Sequence, residues 1–404
     1  MLDMLVIGGG YIGLSAAVAV KQSAPHLQIQ VIEAAPEHVW EKDERVSAII
    51  AAATKMLEVL GVWEEVLPHA QPINKMVITD SRASDPVRPV FLTFDGVIDD
   101  ELPFAHMVPN VALVRALRHA CDRLEIPVRH GLSATTFKTS ANRTTVTLSN
   151  DSTIETRLLV ACDGVRSKLR SIAGIKTVSW DYNQSGIVTT VAHERPHDGL
   201  AEEHFLPSGP FAILPLTGNR SSLVWTERRD EAEHLIASDD LIFEAELQRR
   251  FGYKLGEIKV SGSRKAFPLG LTLARAFIAP RFLLAGDSAH GIHPISGQGL
   301  NLGFKDVAAL AETIVDADRL GLDIGALDVL ERYQSWRRFD TFRMGVTTDV
   351  LNRLFSNDIT PVRIARDLGL GLVERLPGLK SYFIGEAAGT SGENHPKLLT
   401  GQAI

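Results

Sequence analysis

The alternation of apolar and polar positions sorts the chain into recognisable elements before any chemistry is considered. Asp3–Ile7 is a short apolar run suited to a buried parallel strand, Gly13–Val20 is small and apolar as a helix packed closely on a sheet requires, and Gln28–Ile32 is the next strand. From Val46 to Leu67 apolar residues recur every three or four positions, which predicts a helix; Val111–Leu124 repeats that pattern. Phe91–Phe94, Thr144–Leu148 and Leu158–Ala161 read as strands. Between Thr177 and Lys265 the texture is strand and turn, as in Gly186–Val191 and Ser222–Trp225, with one helical run near Asp239–Phe251. Phe282–Ala285 returns to the buried-strand pattern, and from Gly303 onward the chain is largely helical.

This order predicts an α/β fold. A Rossmann-like dinucleotide domain is expected to be discontinuous, assembled from residues 1–76, 101–176 and 267–345, with a β-rich substrate domain from 77–100 and 177–266 inserted into it and a helical C-terminal region over 346–404. The chain's 404 residues are enough for two or three such units. Composition narrows the class further. Hydrophobic residues at 45% and charged residues at 23% are ordinary for a soluble globular protein. A net charge of −7 provides no basic field for nucleic acid. Met1-Leu2-Asp3-Met4 lacks the basic start of a secretory signal, and the uncharged stretch Met4–Val20 contains Gly8, Gly9, Gly10 and Gly13, so a cofactor loop explains it better than a membrane span. Cys121 and Cys162 are too few and too far apart for a disulfide framework or a thiolate metal site. A cytoplasmic protein is expected.

Gly8-Gly9-Gly10-Tyr11-Ile12-Gly13 satisfies G-x-G-x-x-G directly after a strand and at the start of a helix. Gly8 permits the tight turn, Gly10 lets a pyrophosphate approach the backbone, and Gly13 lets helix and sheet pack closely, while the helix N-terminus offers free N–H groups to phosphates. Glu33 follows about 20 residues later at the end of the second strand, where a carboxylate accepts ribose hydroxyls. The motif alone does not separate FAD from NAD. A second run, Ala285-Gly286-Asp287, follows a strand and puts an acceptor where a polyol hydroxyl can reach it. Beyond it Gly297-Gln298-Gly299-Leu300-Asn301 is expected to open a helix whose amides face an anion such as a reduced flavin.

The run His293-Pro294-Ile295-Ser296-Gly297-Gln298-Gly299-Leu300-Asn301-Leu302-Gly303-Phe304-Lys305-Asp306 resembles the signature of the p-hydroxybenzoate-hydroxylase-like FAD-dependent monooxygenases, and within them the ubiquinone-biosynthesis aromatic hydroxylases; Ser296 departs from the Ala or Gly usual there. Asp163-Gly164-Val165-Arg166-Ser167-Lys168-Leu169-Arg170 is similar to the family's D-G-x-x-S-x-x-R. The resemblance runs from Asp3 to about Gly389 and implies bound FAD, with NAD(P)H as a transient co-substrate that has no Rossmann domain of its own. It also implies that Asp163, Arg45 and Arg115 contact the cofactor and that Pro294 lies beside the flavin ring. The implied reaction is hydroxylation of an apolar, prenylated aromatic ring through a flavin hydroperoxide, in which the protein positions the ring and excludes water.

No catalytic side chain is named: Tyr182, His193, His204 and Tyr253 are the unranked candidates for a substrate base in the β-rich domain. No metal is expected, since His290 and His293 lack a third spaced ligand. Two alternatives stay open, a related flavoprotein of prenyl-reductase or halogenase type and a non-catalytic, FAD-stabilised member of a quinone-biosynthesis complex; none of the five Trp residues forms the W-x-W pair of halogenases. Tyr333, Trp336, Phe339, Phe342, Val346, Val350 and Leu354 recur at steps of three or four, with Arg332, Arg337, Arg338, Arg343 and Arg353 interspersed. Such a face either covers the protein's own core or meets an anionic lipid surface or a partner groove, which would make the protein peripheral at the inner membrane.

Overall fold

The N-terminal strand β1 (Leu2–Ile7) is buried from Met4 onward, and helix α1 (Tyr11–Ser23) is buried over Ile12–Val20 because it is covered on more than one side. The strand after it, β2 (Ile29–Ile32), pairs parallel with β1 from Met4↔Ile29 to Ile7↔Ile32, closing a β-α-β unit. This computed structural model describes residues 1–80, 90–95, 97–98, 102–292, 298–356, 385, 388–389 and 395–404.

The stretch expected as one helix over Val46–Leu67 divides. Its first residues form β3 (Val46–Ile50), and helix α2 (Ala51–Val59) starts only after them. Strand β4 (Lys75–Asp80) follows, then β5 (Ala105–Pro109) and helix α3 (Asn110–Arg123). The correction has a tertiary cause: β3 pairs antiparallel with β5, Val46 opposite Pro109 and Ile50 opposite Ala105, a partner the local pattern cannot reveal.

Next comes β6 (Thr153–Ala161), and then four long strands, β7 (Thr177–His193), β8 (Leu200–Leu206), β9 (Gly209–Leu216) and β10 (Arg220–Arg228). Between β10 and the next strand lie a helix over Arg229–Ala237, which the periodicity missed, and the expected one, α4 (Asp240–Phe251), capped by the Asp239 carboxylate on the Ile242 N–H. Strands β11 (Lys265–Ala274) and β12 (Phe282–Leu284) lead into the long helices α5 (Gln298–Arg319) and α6 (Leu327–Phe355).

These elements make two main sheets. In the first, β6 lies parallel to β1 on one side and to β12 on the other, so Ile7, Ala161 and Leu284 stand in register. In the second, β11, β7, β10, β9, β8 and β4 are consecutive neighbours, with only β8 and β4 running parallel. One face of this sheet, including Phe211, Leu223 and Trp225, packs on Phe243 and Leu247 of α4 as a separate small core. The alternate positions face the opposite way, as the two-residue period of a strand requires. Strand β11 spans residue 267, and α6 runs unbroken through residue 345.

Helix α6 buries a line of residues beside the apolar stripe. Its buried line is Tyr333, Arg337, Thr341, Met344, Thr348, Asn352 and Phe355. The apolar stripe beside it is buried only at its first turn, and Phe339, Phe342, Val346 and Val350 are exposed.

Candidate active site

Because β1, β6 and β12 end in register, the loops that follow them emerge side by side at one edge of the sheet. That edge holds all three motifs, although they lie far apart in the chain. It is the crevice at the carboxyl ends of the strands, where open α/β sheets bind their ligands.

The first loop leaves no room for side chains. A Cβ on Gly8, where φ is +111°, would lie 2.2 Å from the Cys162 carbonyl oxygen, and one on Gly13 would lie 1.9 Å from the Gly8 oxygen. Gly10, by contrast, has nothing within 4 Å of where its Cβ would be. Here the missing side chain leaves space for a ligand. Helix α1 begins at this point with no side-chain cap and no acidic residue in its first turn. Glu33 closes the loop: its Oε2 accepts the Gly9 N–H at 2.5 Å and its Oε1 the Ala35 N–H at 2.7 Å. Each carboxylate oxygen retains a second lone pair for a ribose hydroxyl.

In the second loop, Asp163 Oδ2 accepts the Leu169 N–H at 3.4 Å, whereas Oδ1 is buried without a partner among the described residues. A buried carboxylate oxygen left so calls for a donor. Ser167 caps the short helix behind it by accepting the Arg170 N–H. The Arg170 guanidinium donates to the carbonyls of Val165 and Ser288, tying the second loop to the third. These are the structural roles of the Ser and Arg in D-G-x-x-S-x-x-R.

The third loop turns at Gly286, with φ of +65°. Its N–H donates to Asp306 Oδ2 at 2.8 Å. The same oxygen lies 2.6 Å from His290 Nε2, and Oδ1 accepts from Arg337 Nε at 2.6 Å. Burial alone would raise the Asp306 carboxyl, but His290 and Arg337 outweigh it and hold it below the ordinary aspartate range. Asp287 reaches solvent through the cleft mouth, yet protein surrounds most of it. Burial therefore pushes its carboxyl up, against the opposing pull of His290 and Arg45. Burial, aided by the Asp287 charge, lifts the Tyr11 phenol to about 12. Asn301 is turned to β3, accepting the Ile50 N–H at 3.1 Å and donating to the Ala48 carbonyl at 2.9 Å, so it fixes the first turn of α5.

Behind these loops lies a cavity of about 340 Å³. Tyr11, Asp287, Gln298, Gly299 and Leu300 line it from the loop side, Phe104 and Met107 from the β5 side, and Ala201, Glu203, Pro210, Ala212, Leu214 and Val224 from the second sheet. Glu203 is 5% exposed, and burial pushes its carboxyl up to about 7. A roomier hollow of about 590 Å³ lies elsewhere, between β11 and α6, and contains none of the loop residues. The smaller cavity is the chemically relevant one, because it adjoins the motifs.

The open space at Gly10, the uncapped α1 and the unpartnered Asp163 oxygen together fit a nucleotide with a pyrophosphate and a ribose. Residues 1–337 match the model of the family described as the FAD binding domain.

The chain belongs to that family.

The expected resemblance is thereby borne out, and the cofactor is FAD. Among relatives, the chain is 42% identical to ubiquinone hydroxylase UbiL of Rhodospirillum rubrum, over 99% of this chain and 92% of that one. It is 32% identical to the 3-demethoxyubiquinol 3-hydroxylase of Escherichia coli, over 96% and 98%. It is 30% identical to the human mitochondrial ubiquinone biosynthesis monooxygenase COQ6, over 96% and 92%. Of solved structures, p-nitrophenol 4-monooxygenase PnpA from Pseudomonas putida superposes with a TM-score of 0.79 at 16% identity, over 98% of this chain and 99% of that one. Klebsiella pneumoniae HpxO, complexed with FAD and uric acid, gives 0.75 at 19%, over 96% of each. These two likenesses speak to the fold.

Of the site residues expected from sequence in this family member, Gly8, Gly10, Gly13, Glu33, Asp163, Gly286, Asp287, Gln298, Gly299 and Leu300 gather at the cleft. Arg45 stands at its mouth, paired with Asp43 through two contacts of 2.8 Å. Arg115 is exposed on α3. Pro294 and Gly297 lie outside the described residues. The four unranked base candidates do not line the cavity. His204 bonds Thr79 at 2.7 Å on the opposite face of β8, His193 lies against the Arg195 carbonyl and Ser221, and Tyr253 is exposed. Sequence reading missed Tyr11, Arg170 and Glu203. For Glu203 a signal exists: alternation along Ala201-Glu202-Glu203-His204-Phe205 puts it on the same face as Ala201 and Phe205.

Proposed function

We propose that this protein is an aromatic hydroxylase that uses NAD(P)H and O₂ to hydroxylate the ring of a prenylated ubiquinone precursor. The observation that carries the proposal is the cavity between the loops and the second sheet, apolar on most sides and large enough for a substituted benzene ring. Bound FAD supplies the electron carrier and the place where O₂ is activated. The chain's own part is to hold and shield. Glu33, Asp163 and the α1 N-terminus would hold the nucleotide, the α5 N-terminus would face the anionic side of a reduced flavin ring, and Phe104, Met107, Leu214 and Val224 exclude water from the substrate ring. The names of the relatives supply the substrate class. In this reading the FAD-binding part comprises 1–76, 101–176 and 267–345, the substrate part 77–100 and 177–266, and 346–404 is the C-terminal region. Purified protein is expected to oxidise NAD(P)H faster when a prenylated phenol is added, with hydroxylated product formed. Product-free oxidation, indifferent to the phenol, would refute the hydroxylase reading and leave the reductase or non-catalytic alternative.

The α6 stripe supplies the contact with the membrane that holds such a substrate. Phe339 is 74% exposed, Phe342 61% and Val350 53%, and Arg338 and Arg343 flank them. Arg337 takes no part, because it is buried on Asp306 and Asp340. No helix among the described residues is long and apolar enough to cross a membrane, which leaves lying on the surface as the mode for this helix. In flotation with phosphatidylglycerol vesicles, Phe339→Ser/Phe342→Ser is expected to lower the floating fraction at least about tenfold, since each buried phenylalanine contributes about 1.5–3 kcal/mol. Equal flotation of the variant and wild type would remove the stripe from the contact.

A further inference from the structure

The cavity contains one acid that neither the nucleotide loops nor the fold puts to use. Glu203 sits near the middle of β8, and the residues directly across from it on the same face are apolar. Its register partners are Ala212 on β9 and Ile78 on β4, and Val224 stands beyond Ala212 on β10. Its sequence neighbours point the other way, where Glu202 meets Lys254 at 2.6 Å and His204 bonds Thr79. Among the described residues, no lysine, arginine or histidine lines the cavity. The titratable groups that do are Tyr11 and Asp287, both on the loop side. Farther along the shared face of β4 is Asp80, a buried residue that has partners of its own. On β5, His106 is turned to Trp63, with ring centroids 5.0 Å apart, and on β10 Glu227 is taken by Trp225 and Arg250 on the far face. From α6, Phe355 stacks on Phe205 at 4.0 Å and adds no charge.

A carboxyl in this setting is costly unless a ligand meets it, because no positively charged group among the described residues lines the cavity with it. The ligand expected here is a ring that carries a hydroxyl. We propose that Glu203 accepts the proton of the substrate's ring hydroxyl and fixes which edge of the ring faces the flavin loops. This rests on the hydroxylase reading above. In the step, the substrate O–H bond breaks, the proton joins a Glu203 carboxylate oxygen, and the electron pair stays on the phenolate oxygen, delocalised into the ring carbons that must attack electrophilic oxygen. The proton passes to solvent as product leaves, which restores the carboxylate. A base that titrates close to the working pH serves such a transfer best, and the apolar walls place the Glu203 carboxyl in that range. Because the carboxylate form does the work, the rate should rise with pH through the neutral region.

The test compares wild type, Glu203→Gln and Glu203→Asp on a prenylated phenol between about pH 5.5 and 8.5. Flavin content, NAD(P)H oxidation and hydroxylated product are measured for each. Wild-type hydroxylation is expected to rise with pH to a plateau. Glu203→Gln should keep its flavin, lose roughly 10²–10⁴-fold in kcat and show no such rise. Glu203→Asp should keep the pH dependence at reduced kcat, because it retains the acid but draws it back by one methylene. Wild-type kcat in Glu203→Gln, or a wild-type rate flat across the whole range, overturns the inference. If wild type hydroxylates the phenol and Glu203→Gln equals it, this inference alone falls; if wild type hydroxylates nothing, the proposed function falls first.

Discussion

Gly13→Ala is expected to yield protein almost free of flavin. Its new methyl carbon would stand 1.9 Å from the Gly8 carbonyl oxygen and 3.2 Å from the Val6 side chain. The first of these is a backbone atom and cannot swing aside, so α1 must move away from β1 and the phosphate cradle opens. Overpacking of this kind costs typically about 1–3 kcal/mol in stability. Affinity for FAD should suffer more, because α1 and the glycine loop lose their alignment together; a fall of roughly 100-fold or more, about 2.7 kcal/mol, is expected. Gly10→Ala separates the two effects. With nothing within 4 Å of that position, the protein should fold with wild-type stability and still fail to retain flavin, because the methyl occupies the pyrophosphate's approach. Flavin absorbance per protein and thermal melts of the apo forms check both. Full flavin occupancy in Gly10→Ala would move the pyrophosphate away from that residue.

Asp306→Ala is expected to be the most damaging single change to the fold itself. One fully buried carboxylate anchors the Gly286 turn, the His290 ring and the Arg337 guanidinium, and so ties α5 to both the third loop and α6. Truncating one partner of a buried pair leaves a buried charge uncompensated and costs about 3–5 kcal/mol, a large part of the stability of an ordinary domain. Arg337→Met added to Asp306→Ala should recover part of the loss, since the double variant removes the stranded cation as well. Urea titrations of the two single variants and the double variant measure the coupling; strict additivity would show that the pair does not act as a unit. The pH dependence has a defined sign. Asp306 is held below its ordinary value, and Asp340, paired with Lys305 and Arg337, is drawn down to about 2. Depressed carboxyls stabilise the fold above the unfolded-state value of about 4. The contribution from this cluster is therefore complete at neutral pH and drains away as pH falls from about 4 towards 2.

The parts legible in the sequence were those whose cause is local. β1, its glycine turn, α1 and Glu33 could be read because a strand, a tight turn and a helix follow one another within a short stretch, each with its own periodic or steric signature. The three motifs could be read as cofactor loops, although nothing local says that they meet; the shared register of Ile7, Ala161 and Leu284 brings them together. Where the cause is remote, the reading failed. Val46–Ile50 satisfies helical spacing as well as strand spacing, and its pairing with Ala105–Pro109 decided between them. On α6 the apolar positions drew attention to the outward stripe. The true core face carries Arg337, Thr341, Thr348 and Asn352, polar residues made burial-tolerant by Asp306, by helix carbonyls and by Gln184. Glu203 went unremarked for a related reason: an acid on a strand ordinarily faces water, and only the assembled cavity shows that this one does not.

Helix α6 has a consequence for how the two sheets are held together. Near its start, the Tyr333 hydroxyl donates to the Leu284 carbonyl at 2.7 Å, at the end of β12 in the first sheet. Near its end, Asn352 donates to Gln184 of β7 at 3.0 Å and Phe355 stacks on Phe205 of β8, both in the second sheet. A helix of 29 residues fastened at both ends acts as a strut that couples the two sheets, although none of its residues lines the cavity. Cutting either fastening, by Tyr333→Phe or Asn352→Ala, should therefore loosen how the sheets are held together without altering a single residue that lines the cavity.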